Sequence, residues 1–470
     1  MKRLLMWLWA LFVLTAAVAN PRVVPHAVAT TVTADEPQNG VLYVSETGQY
    51  VHGTFRLYYE QNGGVEIFGL PLTPIFSDGG LRVQYFERAR FEVPIGHDEQ
   101  SRVTLGRLGA VFVDQLSSDA RANPPFAGIA ESAMTAGAQY FGATQHSLKG
   151  EFGAYWMAHG GLPIFGYPLS EEFYQEIDGT VLRVQYFERA RMEARLAGNQ
   201  VVITLGHLGR ELLADRPDLQ PLMQPLPGLQ RLASATTSYR GAGWAKRTNI
   251  GRAGAMIDGT LIPAGAEFSF LESSNFIDTD FVEGYGIIGG QLSTVIGGGI
   301  CQVSTTVFRS ASNGGFPITE RVPHTYVVTT YEDIPGFDAA VMSPSVDFRF
   351  INDTTAPLML VVRNEPDDLR FTVELWGVPD GRTVQYAGPF ISNVTRPYTA
   401  IWQYDRTLAS GTTRQLVTGR GGMRVSYQRT VLAADGSVMR SDDYRTSYAP
   451  WYDYVLYGPG VSPPAGVRLR

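Results

Sequence analysis

An internal repeat limits what this chain can fold into. The segment LRVQYFERARFE (81–92) recurs as LRVQYFERARME (182–193), 101 positions later. Flanking segments match in the same order, with 53–76 paired to 150–173 and 103–109 paired to 203–209. A repeated period of this kind indicates one supersecondary unit used more than once. We therefore predict two units of the same fold, at 46–113 and 144–212.

Local patterns inside the second unit predict a small α+β fold. Residues 152–159 read as a short helix, because Gly160 and Gly161 follow it and glycine tolerates the left-handed conformation that ends helices. Residues 182–193 read as one strand. The segment GGLPIFGYPLS (160–170) reads as a turn, a short strand and a second turn.

Both units resemble the LGFP-type repeats of exported bacterial proteins, through GGVEIFGLPLT (63–73) and GGLPIFGYPLS (160–170). The resemblance implies an association with the cell wall. The aromatic residues of the repeat have two interpretations, either as small cores or as a groove whose rings stack on sugars. These residues are Tyr85, Phe86, Tyr186 and Phe187.

The first 19 residues have the pattern of a signal peptide. Lys2 and Arg3 are followed by an apolar stretch at 4–14 and by AVA at 17–19, which fits the small-residue cleavage rule. We therefore predict a secreted or cell-envelope protein with no transmembrane span in the mature chain. An uncleaved membrane anchor is the alternative.

Composition excludes several classes of protein and site. The formal charge of −7 argues against a nucleic-acid partner, which would require a basic excess. Cys301 is the only cysteine, so neither an internal disulfide nor a zinc–cysteine cluster can form. The seven histidines lack metal-ligand spacing. No metal and no other cofactor is predicted, and the oligomeric state stays open.

Composition also divides the second half of the chain. Residues 213–229 carry four prolines and read as a linker. Residues 230–377 form a second domain, and 378–463 read as an all-β module because alternating residues flank the turn AADG. That module resembles the glycine-rich β modules beside exported peptidoglycan enzymes, through TGRGGMRVSYQ. We expect the tail PGVSPPAGVRLR (459–470) to be disordered.

The predicted fold class is therefore multidomain α+β. It comprises two small α+β repeats, a mixed α+β domain with one helix that starts at the cysteine, and a C-terminal all-β module.

The domain at 230–377 resembles the VanW family along its whole length. The resemblance rests on GTLIPAGAEFSF, GGGICQVSTTVFRSASNGGFPITERVPHTY, GFDAAV, VDFRFINDTTAPLML and FTVELWG, in that order. It implies a protein that is exported or membrane-anchored, often beside peptidoglycan-binding modules, in a family named after a protein of glycopeptide-resistance clusters. It implies no settled biochemical activity. The segment 283–299 departs from the longer family pattern, so the loop facing the thiol is expected to differ.

The residues after Cys301 predict a helix. Val303, Val307 and Ala311 lie at i, i+4 and i+8 on one helical face, and Asn313 precedes two glycines that end the helix. Cys301 is therefore placed in the first turn, behind a glycine loop. Unpaired N–H groups and the helix dipole stabilise a thiolate there and could bind an oxyanion.

Cys301, His324 and Asp338 follow one another in the order found in transglutaminase-like and papain-like cysteine enzymes. In that arrangement Cys301 is the nucleophile, His324 transfers the proton and Asp338 orients the imidazole. His324 is predicted on a strand over 318–331 and Asp338 at the start of the next strand. The predicted binding residues around them are Gly297, Gly298, Gly299, Gln302, Ser304, Thr305, Glu320 and Arg321.

Alternatives stay open at this stage. Cys301 could be a small buried apolar group, and Asp347 competes with Asp338 for the third role. Glu320 and Arg321 could form a salt bridge. A phosphate-binding loop is disfavoured because the glycine segment has no lysine.

Two functions are consistent with these patterns. One is an exported cell-envelope protein that binds peptidoglycan or another cell-surface glycan. The other is a cysteine-dependent peptidase, amidase or acyltransferase that acts on peptidoglycan peptides through Cys301, His324 and Asp338.

Overall fold

A computed structural model describes residues 40–470, except 96–102, 198–199, 275–280, 289–290, 329 and 331–332. The predicted signal peptide lies outside the described residues. Within the described ranges, no helix is long and apolar enough to cross a membrane. Ten α-helices and many short strands, arranged in several small sheets, confirm the predicted multidomain α+β class for this part of the chain.

The first repeat unit combines a hairpin, two short helices and a four-stranded antiparallel sheet of order β3-β4-β5-β6, followed by a third helix. Its elements are β1 (Val41–Val44), β2 (Gln49–His52), α1 (Gly53–Gln61), α2 (Gly64–Phe68), β3 (Phe76–Asp78), β4 (Leu81–Tyr85), β5 (Arg90–Pro94), β6 (Thr104–Leu105) and α3 (Leu108–Asp114).

The second unit has the same order of elements, after a connecting helix α4 (Ser118–Ala122) and a 3₁₀ turn at Glu131–Ala133. Its elements are β7 (Gln139–Phe141), β8 (His146–Leu148), α5 (Gly150–Ala158), α6 (Gly161–Phe165), β9 (Phe173–Ile177), β10 (Thr180–Tyr186), β11 (Arg191–Ala197), β12 (Gln200–Leu205) and α7 (Leu208–Ala214).

Two local predictions for the repeats were wrong. Residues 182–193 form a hairpin, because the Phe187 N–H donates to the Ala190 carbonyl (2.8 Å) and closes a turn between β10 and β11. Residues 161–165 form the helix α6, with Ile164 and Phe165 buried, where a short strand was expected. A short apolar run fits either structure, and tertiary packing decides between them.

The two units pack on each other reciprocally. Helix α3 of the first unit begins against the β10–β11 turn, where the Ala110 N–H donates to the Glu188 carbonyl (3.0 Å). Helix α7 of the second unit begins against the β4–β5 turn, where the Gly209 N–H donates to the Glu87 carbonyl (3.0 Å). Each unit therefore supplies a helix that packs on a hairpin turn of the other unit.

A glycine allows the backbones to meet at both contacts. A Cβ atom on Gly109 would overlap the Phe187 carbonyl oxygen, and one on Gly209 would overlap the Phe86 carbonyl oxygen. Exposed ion pairs accompany the contacts, at 2.9 Å for Arg107–Glu188 and 2.8 Å for Arg210–Glu87.

One apolar core extends through both units. Phe86 and Phe187 lie in it, each 0% exposed, while Tyr85 and Tyr186 fill two satellite clusters. The structure therefore favours the core interpretation for these four aromatic residues. Their ring faces are unavailable for stacking on a sugar.

The domain after the repeats contains three helices between small antiparallel sheets, of orders β13-β21-β20-β14 and β15-β19-β18, with the hairpin β16-β17. Its elements are β13 (Gln230–Ser238), α8 (Trp244–Ile257), β14 (Leu261–Ile262), β15 (Glu267–Ser269), α9 (Phe270–Ser274), β16 (Glu283–Ile288), β17 (Gln291–Ile296), α10 (Ile300–Asn313), β18 (Ile318–Glu320), β19 (Arg349–Ile351), β20 (Leu358–Glu365) and β21 (Arg370–Gly377).

The proline-rich segment before this domain lies against the first repeat. It contains a 3₁₀ turn at Gln220–Met223, and Leu219 packs with Leu72 and Val83. The Leu226 N–H donates to the Gly48 carbonyl (2.8 Å). These contacts hold the segment at several points along its length.

The last part of the chain is all-β, with a three-stranded sheet of order β22-β25-β26 and a four-stranded mixed sheet of order β24-β27-β23-β28. Its elements are β22 (Thr383–Ser392), β23 (Tyr398–Tyr404), β24 (Thr413–Val417), β25 (Met423–Leu432), β26 (Val438–Tyr448), β27 (Tyr452–Tyr457) and β28 (Arg468–Leu469). The expected disorder of the tail was wrong, because β28 pairs with β23.

The three-stranded sheet packs on α10 and shares its core. Val425, Tyr427, Tyr444 and Tyr448 lie in the same apolar cluster as Val303, Val307 and Phe308. The fully buried Arg429 donates to the Ser312 carbonyl (3.1 Å) and the Phe316 carbonyl (2.9 Å), which supplies a cation at the C-terminal end of α10. Side chains from both sides of the predicted domain boundary at 377/378 therefore pack in the same apolar core.

Candidate active site

Helix α10 starts immediately after the glycine loop, so Cys301 is its second residue. Gly299 has a φ of +121°, and a Cβ atom there would lie 3.0 Å from the Lys246 carbonyl oxygen. A buried amide of α8, that of Asn249, holds the loop by donating to the Gly298 carbonyl (3.1 Å). Glycine is therefore required for the backbone that presents Cys301.

A polar stripe on α10 binds the extended segment 337–341. The Val341 N–H lies 3.5 Å from Sγ of Cys301, Oγ1 of Thr305 accepts from the Ala339 N–H (3.1 Å), and Nε of Arg309 donates to the Phe337 carbonyl (2.9 Å). Four residues of helix advance about 6 Å, close to two residues of extended chain. This match places Val341 beside Cys301 at the start of α10, and Asp338 between the residues that contact Thr305 and Arg309.

The structure brings Cys301, His324 and Asp338 together. Nδ1 of His324 lies 2.5 Å from Oδ2 of Asp338, and the His324 backbone N–H donates to the same oxygen (2.8 Å). With Nδ1 taken, Nε2 is the ring nitrogen left for the thiol, and the side chains of His324 and Cys301 interact electrostatically. Asp338 is 2% exposed, the His324 side chain is 17% exposed and Cys301 is half-buried.

The strands predicted around this site are shorter than expected. Strand β18 ends at Glu320, and beyond it, among the described residues of the predicted strand, one bridge pairs Val322 with Ala340. Residues 329 and 331 of that prediction lie outside the described residues. Pro323 lacks an N–H and cannot continue the ladder. His324 and Asp338 therefore lie in loops held by side-chain contacts.

The electrostatics favour a thiolate–imidazolium pair. Burial alone would raise the pKa of Cys301, but the hydrogen bond and charge of His324 bring it below its ordinary value. Burial alone would lower the pKa of His324, but Asp338 and Cys301 raise it to about 9. The pKa of Asp338 is lowered, because His324 and Tyr448 outweigh the effect of burial. Both charges of the pair are therefore stabilised near neutral pH.

We expect iodoacetamide to alkylate Cys301 well below the ordinary thiol pKa of about 8.5. His324→Ala should move the midpoint of the pH profile above that value. Burial then raises the pKa of the Cys301 thiol, and no imidazolium opposes it. His207→Ala is the control, because His207 is exposed at the start of α7. Mass spectrometry of the labelled peptide between pH 5 and 10 measures the rates. A wild-type midpoint at or above 8.5 would contradict the ion pair.

Two further residues hold the Asp338 carboxylate. Oη of Tyr448 donates to Oδ1 (2.7 Å). Arg321 donates through Nε to the Asp338 carbonyl (2.7 Å) and forms an ion pair at 3.7 Å with the carboxylate. Sequence reasoning singled out Arg321 as a binding residue but missed Tyr448, which lies 110 positions after Asp338.

Three of the other predicted binding residues, Gln302, Thr305 and Glu320, have structural partners. Nε2 of Gln302 donates to Oγ1 of Thr237 (3.1 Å), Ser304 is fully buried and Thr305 binds the backbone of Ala339. Oε1 of Glu320 accepts from the Asp347 N–H (3.1 Å). The burial of Gln302, Ser304 and Thr305 leaves their side chains no surface for a ligand.

Asp347 has a different environment from Asp338. Its carboxylate accepts from Oγ of Ser269 (2.6 Å) and from the Leu271 N–H (3.0 Å), at the start of α9. It also pairs with Nε of Arg349 at 2.9 Å. These contacts give Asp347 a structural role and leave Asp338 as the partner of His324.

Lys246 adds a second cation near the thiol. Its Nζ donates to Oγ1 of Thr330 (2.9 Å). Burial lowers its pKa to about 8, although the neighbouring Cys301 acts in the opposite direction. No pattern in the sequence pointed to this residue. Within the described ranges, no group of three or more His, Cys, Asp or Glu side chains is placed to hold a metal ion.

The site therefore combines a thiol at a helix start, an imidazole and a buried carboxylate. Comparison with protein families matches residues 245–376 to the family described as "VanW like protein". This part of the chain is therefore a VanW-like domain, and it contains Cys301, His324 and Asp338.

Two relatives match the same region. The "Uncharacterized protein YoaR" of Bacillus subtilis (strain 168) is 32% identical over 135 residues, which are 28% of this chain and 43% of the relative. The "Vancomycin B-type resistance protein VanW" of Enterococcus faecalis (strain ATCC 700802 / V583) is 30% identical over 111 residues, which are 23% of this chain and 40% of the relative. The matches span less than half of each relative.

Proposed function

We propose that the VanW-like domain is a cysteine-dependent acyl-transfer enzyme acting on amide bonds of cell-envelope peptides, as a hydrolase or a transpeptidase. The observation that carries the proposal is that His324, whose Nδ1 is held by the buried Asp338, interacts electrostatically with Cys301 at the start of α10. A structural cysteine needs neither an imidazole partner nor a buried carboxylate behind it.

The proposed reaction has two steps, formation of a thioester on Cys301 and release of the acyl group. His324 transfers a proton in each step. The Cys301 thiolate attacks the carbonyl carbon of the amide, and the C–N bond breaks as Nε2 of His324 gives its proton to the leaving amine. The product is a thioester on Sγ. Water or a second amine, deprotonated by His324, then attacks the thioester and releases the acyl group. Asp338 stabilises the imidazolium throughout.

The surroundings of the thiol support a peptide substrate. Lys246 offers a cation for a carboxylate. Four exposed apolar side chains lie in or beside the segments that form the site, and an exposed apolar patch is typical of a binding surface. They are Trp244, Ile296, Val322 and Met342. The cell-envelope context is what the family resemblance implies, and the name of one relative connects that protein with vancomycin resistance.

Glycan binding by the repeats is the second candidate. The four aromatic residues first considered are buried, but Tyr174 on β9 is 74% exposed and is the cross-strand neighbour of Arg183. An exposed ring beside a guanidinium suits a sugar ring and its hydroxyls. This pair is a property of the second unit, because Ser77 takes the place of Tyr174 in the first unit, as the cross-strand neighbour of Arg82.

One experiment tests both candidates. Purified full-length protein and its Cys301→Ala variant are incubated with isolated sacculi, which are then pelleted, digested and analysed for muropeptides. We expect new or lost cross-links or stem peptides with the wild type only, and equal amounts of both proteins in the pellet. Identical muropeptides would contradict peptidoglycan as the substrate, and protein that stays in the supernatant would contradict glycan binding.

A further inference from the structure

The C-terminal sheet reaches the candidate active site at the end of β26. Tyr448 is the last residue of that strand and is 7% exposed. Its hydroxyl donates to Oδ1 of Asp338 (2.7 Å) and accepts from the Gly336 N–H (2.9 Å). The match to the VanW family ends at residue 376, 72 positions before Tyr448.

The residues around Tyr448 also hold both loops of the site. Oγ1 of Thr446 donates to the Gly336 carbonyl (2.9 Å), and Gly336 lies two positions before Asp338 in the chain. The Ala449 N–H donates to the Thr325 carbonyl (2.8 Å), next to His324. The Trp451 ring meets the Tyr326 ring edge-on, with centroids 4.3 Å apart.

We propose that residues 446–451 are part of the active site, with Tyr448 as the positioning residue that orients Asp338 toward His324. This inference rests on the proposed function. With Oδ1 held by Tyr448, Oδ2 faces the two N–H groups of His324, and the imidazole is held against the thiol. The catalytic unit then extends beyond the family match into the C-terminal sheet.

The charged and titratable groups that face Asp338 are His324, Arg321, Tyr448 and Cys301. Without the Tyr448 hydroxyl, Oδ1 of Asp338 keeps the Arg321 guanidinium as its partner, at 3.7 Å. The carboxylate then holds the imidazolium less firmly and takes up a proton more readily, so thiolate formation requires a higher pH.

The test compares Tyr448→Phe with Tyr444→Phe in the full chain. Both tyrosines lie on β26, both are 7% exposed, and the Tyr444 hydroxyl accepts from Oγ of Ser312 (3.2 Å). Tyr448→Phe loses two hydrogen bonds and Tyr444→Phe loses one, but only Tyr448→Phe removes a contact with Asp338. We expect Tyr448→Phe to slow alkylation of Cys301 at pH 7 by about three- to tenfold and to move its profile to higher pH. Tyr444→Phe should keep the wild-type profile.

The outcomes separate the two proposals. Equal profiles for both variants, with a reactive wild type, would overturn the role of Tyr448 alone. An unreactive wild-type thiol would overturn the proposed function. If circular dichroism shows that Tyr448→Phe is unfolded, Thr446→Val replaces it, since its hydroxyl also accepts from Arg321 (2.9 Å). Thr446→Val should shift the profile in the same direction, and an unchanged profile would overturn the inference.

Discussion

Asp338→Asn is expected to lower the rate of acyl transfer to Cys301 by about 10²- to 10⁴-fold. The amide keeps the volume of the carboxylate but carries no charge. Burial then lowers the pKa of His324 without an opposing anion, and the neutral imidazole no longer stabilises the thiolate. A stopped-flow measurement of p-nitrophenyl acetate cleavage gives the acylation rate without requiring the natural substrate.

Asp347→Asn is the matched control, because the sequence leaves Asp347 as the competing third member. Its carboxylate binds Ser269, Leu271 and Arg349 and has no part in the His324 contact. We expect a loss of about 1 kcal/mol in the free energy of unfolding, typical of a helix cap, with an unchanged acylation rate. Equal loss of rate in both variants would contradict the assignment of Asp338.

Gly209→Ala is expected to destabilise the repeats by about 2–3 kcal/mol. The new methyl group overlaps the Phe86 carbonyl oxygen, so α7 must move away from the β4–β5 turn. That movement also breaks the bond from the Gly209 N–H to the Glu87 carbonyl. Urea unfolding followed by tryptophan fluorescence measures the change.

Gly142→Ala provides the control for this substitution. Gly142 has no other group within 4 Å of its Cβ position, and its φ is not positive. A change within about 0.5 kcal/mol is expected there. If Gly209→Ala were as stable as Gly142→Ala, the two units would not pack reciprocally in solution.

The start of α10 shows what local patterns predict well. Val303, Val307 and Ala311 are all 0% exposed, and the helix ends at Asn313 as predicted. Helical periodicity and glycine conformations are short-range properties, so a single stretch of sequence contains them. Cys301, Thr305 and Arg309 are also spaced at i, i+4 and i+8, so the sequence contains this polar stripe as well. It does not indicate that residues 337–341 bind the stripe.

The surroundings of His324 show where local patterns fail. An apolar, β-branched segment predicted a strand, but Pro323 interrupts pairing and His324 lies in a loop. The repeats show the same effect, because the turn at 187–190 is closed by its own hydrogen bond and contacts a helix of the other unit. Contacts made by distant segments override local preference.

The sequence by itself determined the duplicated unit, the single thiol and its place at a helix start, because each depends on order or spacing along the chain. The tertiary structure alone decided that Asp338, and not Asp347, meets His324, and that Tyr448 reaches Asp338 across 110 positions. Such pairings depend on how separate elements pack into a common core. A buried polar group needs a hydrogen-bond partner, and packing decides which group is near enough to serve. Spacing along the chain does not indicate which group that is.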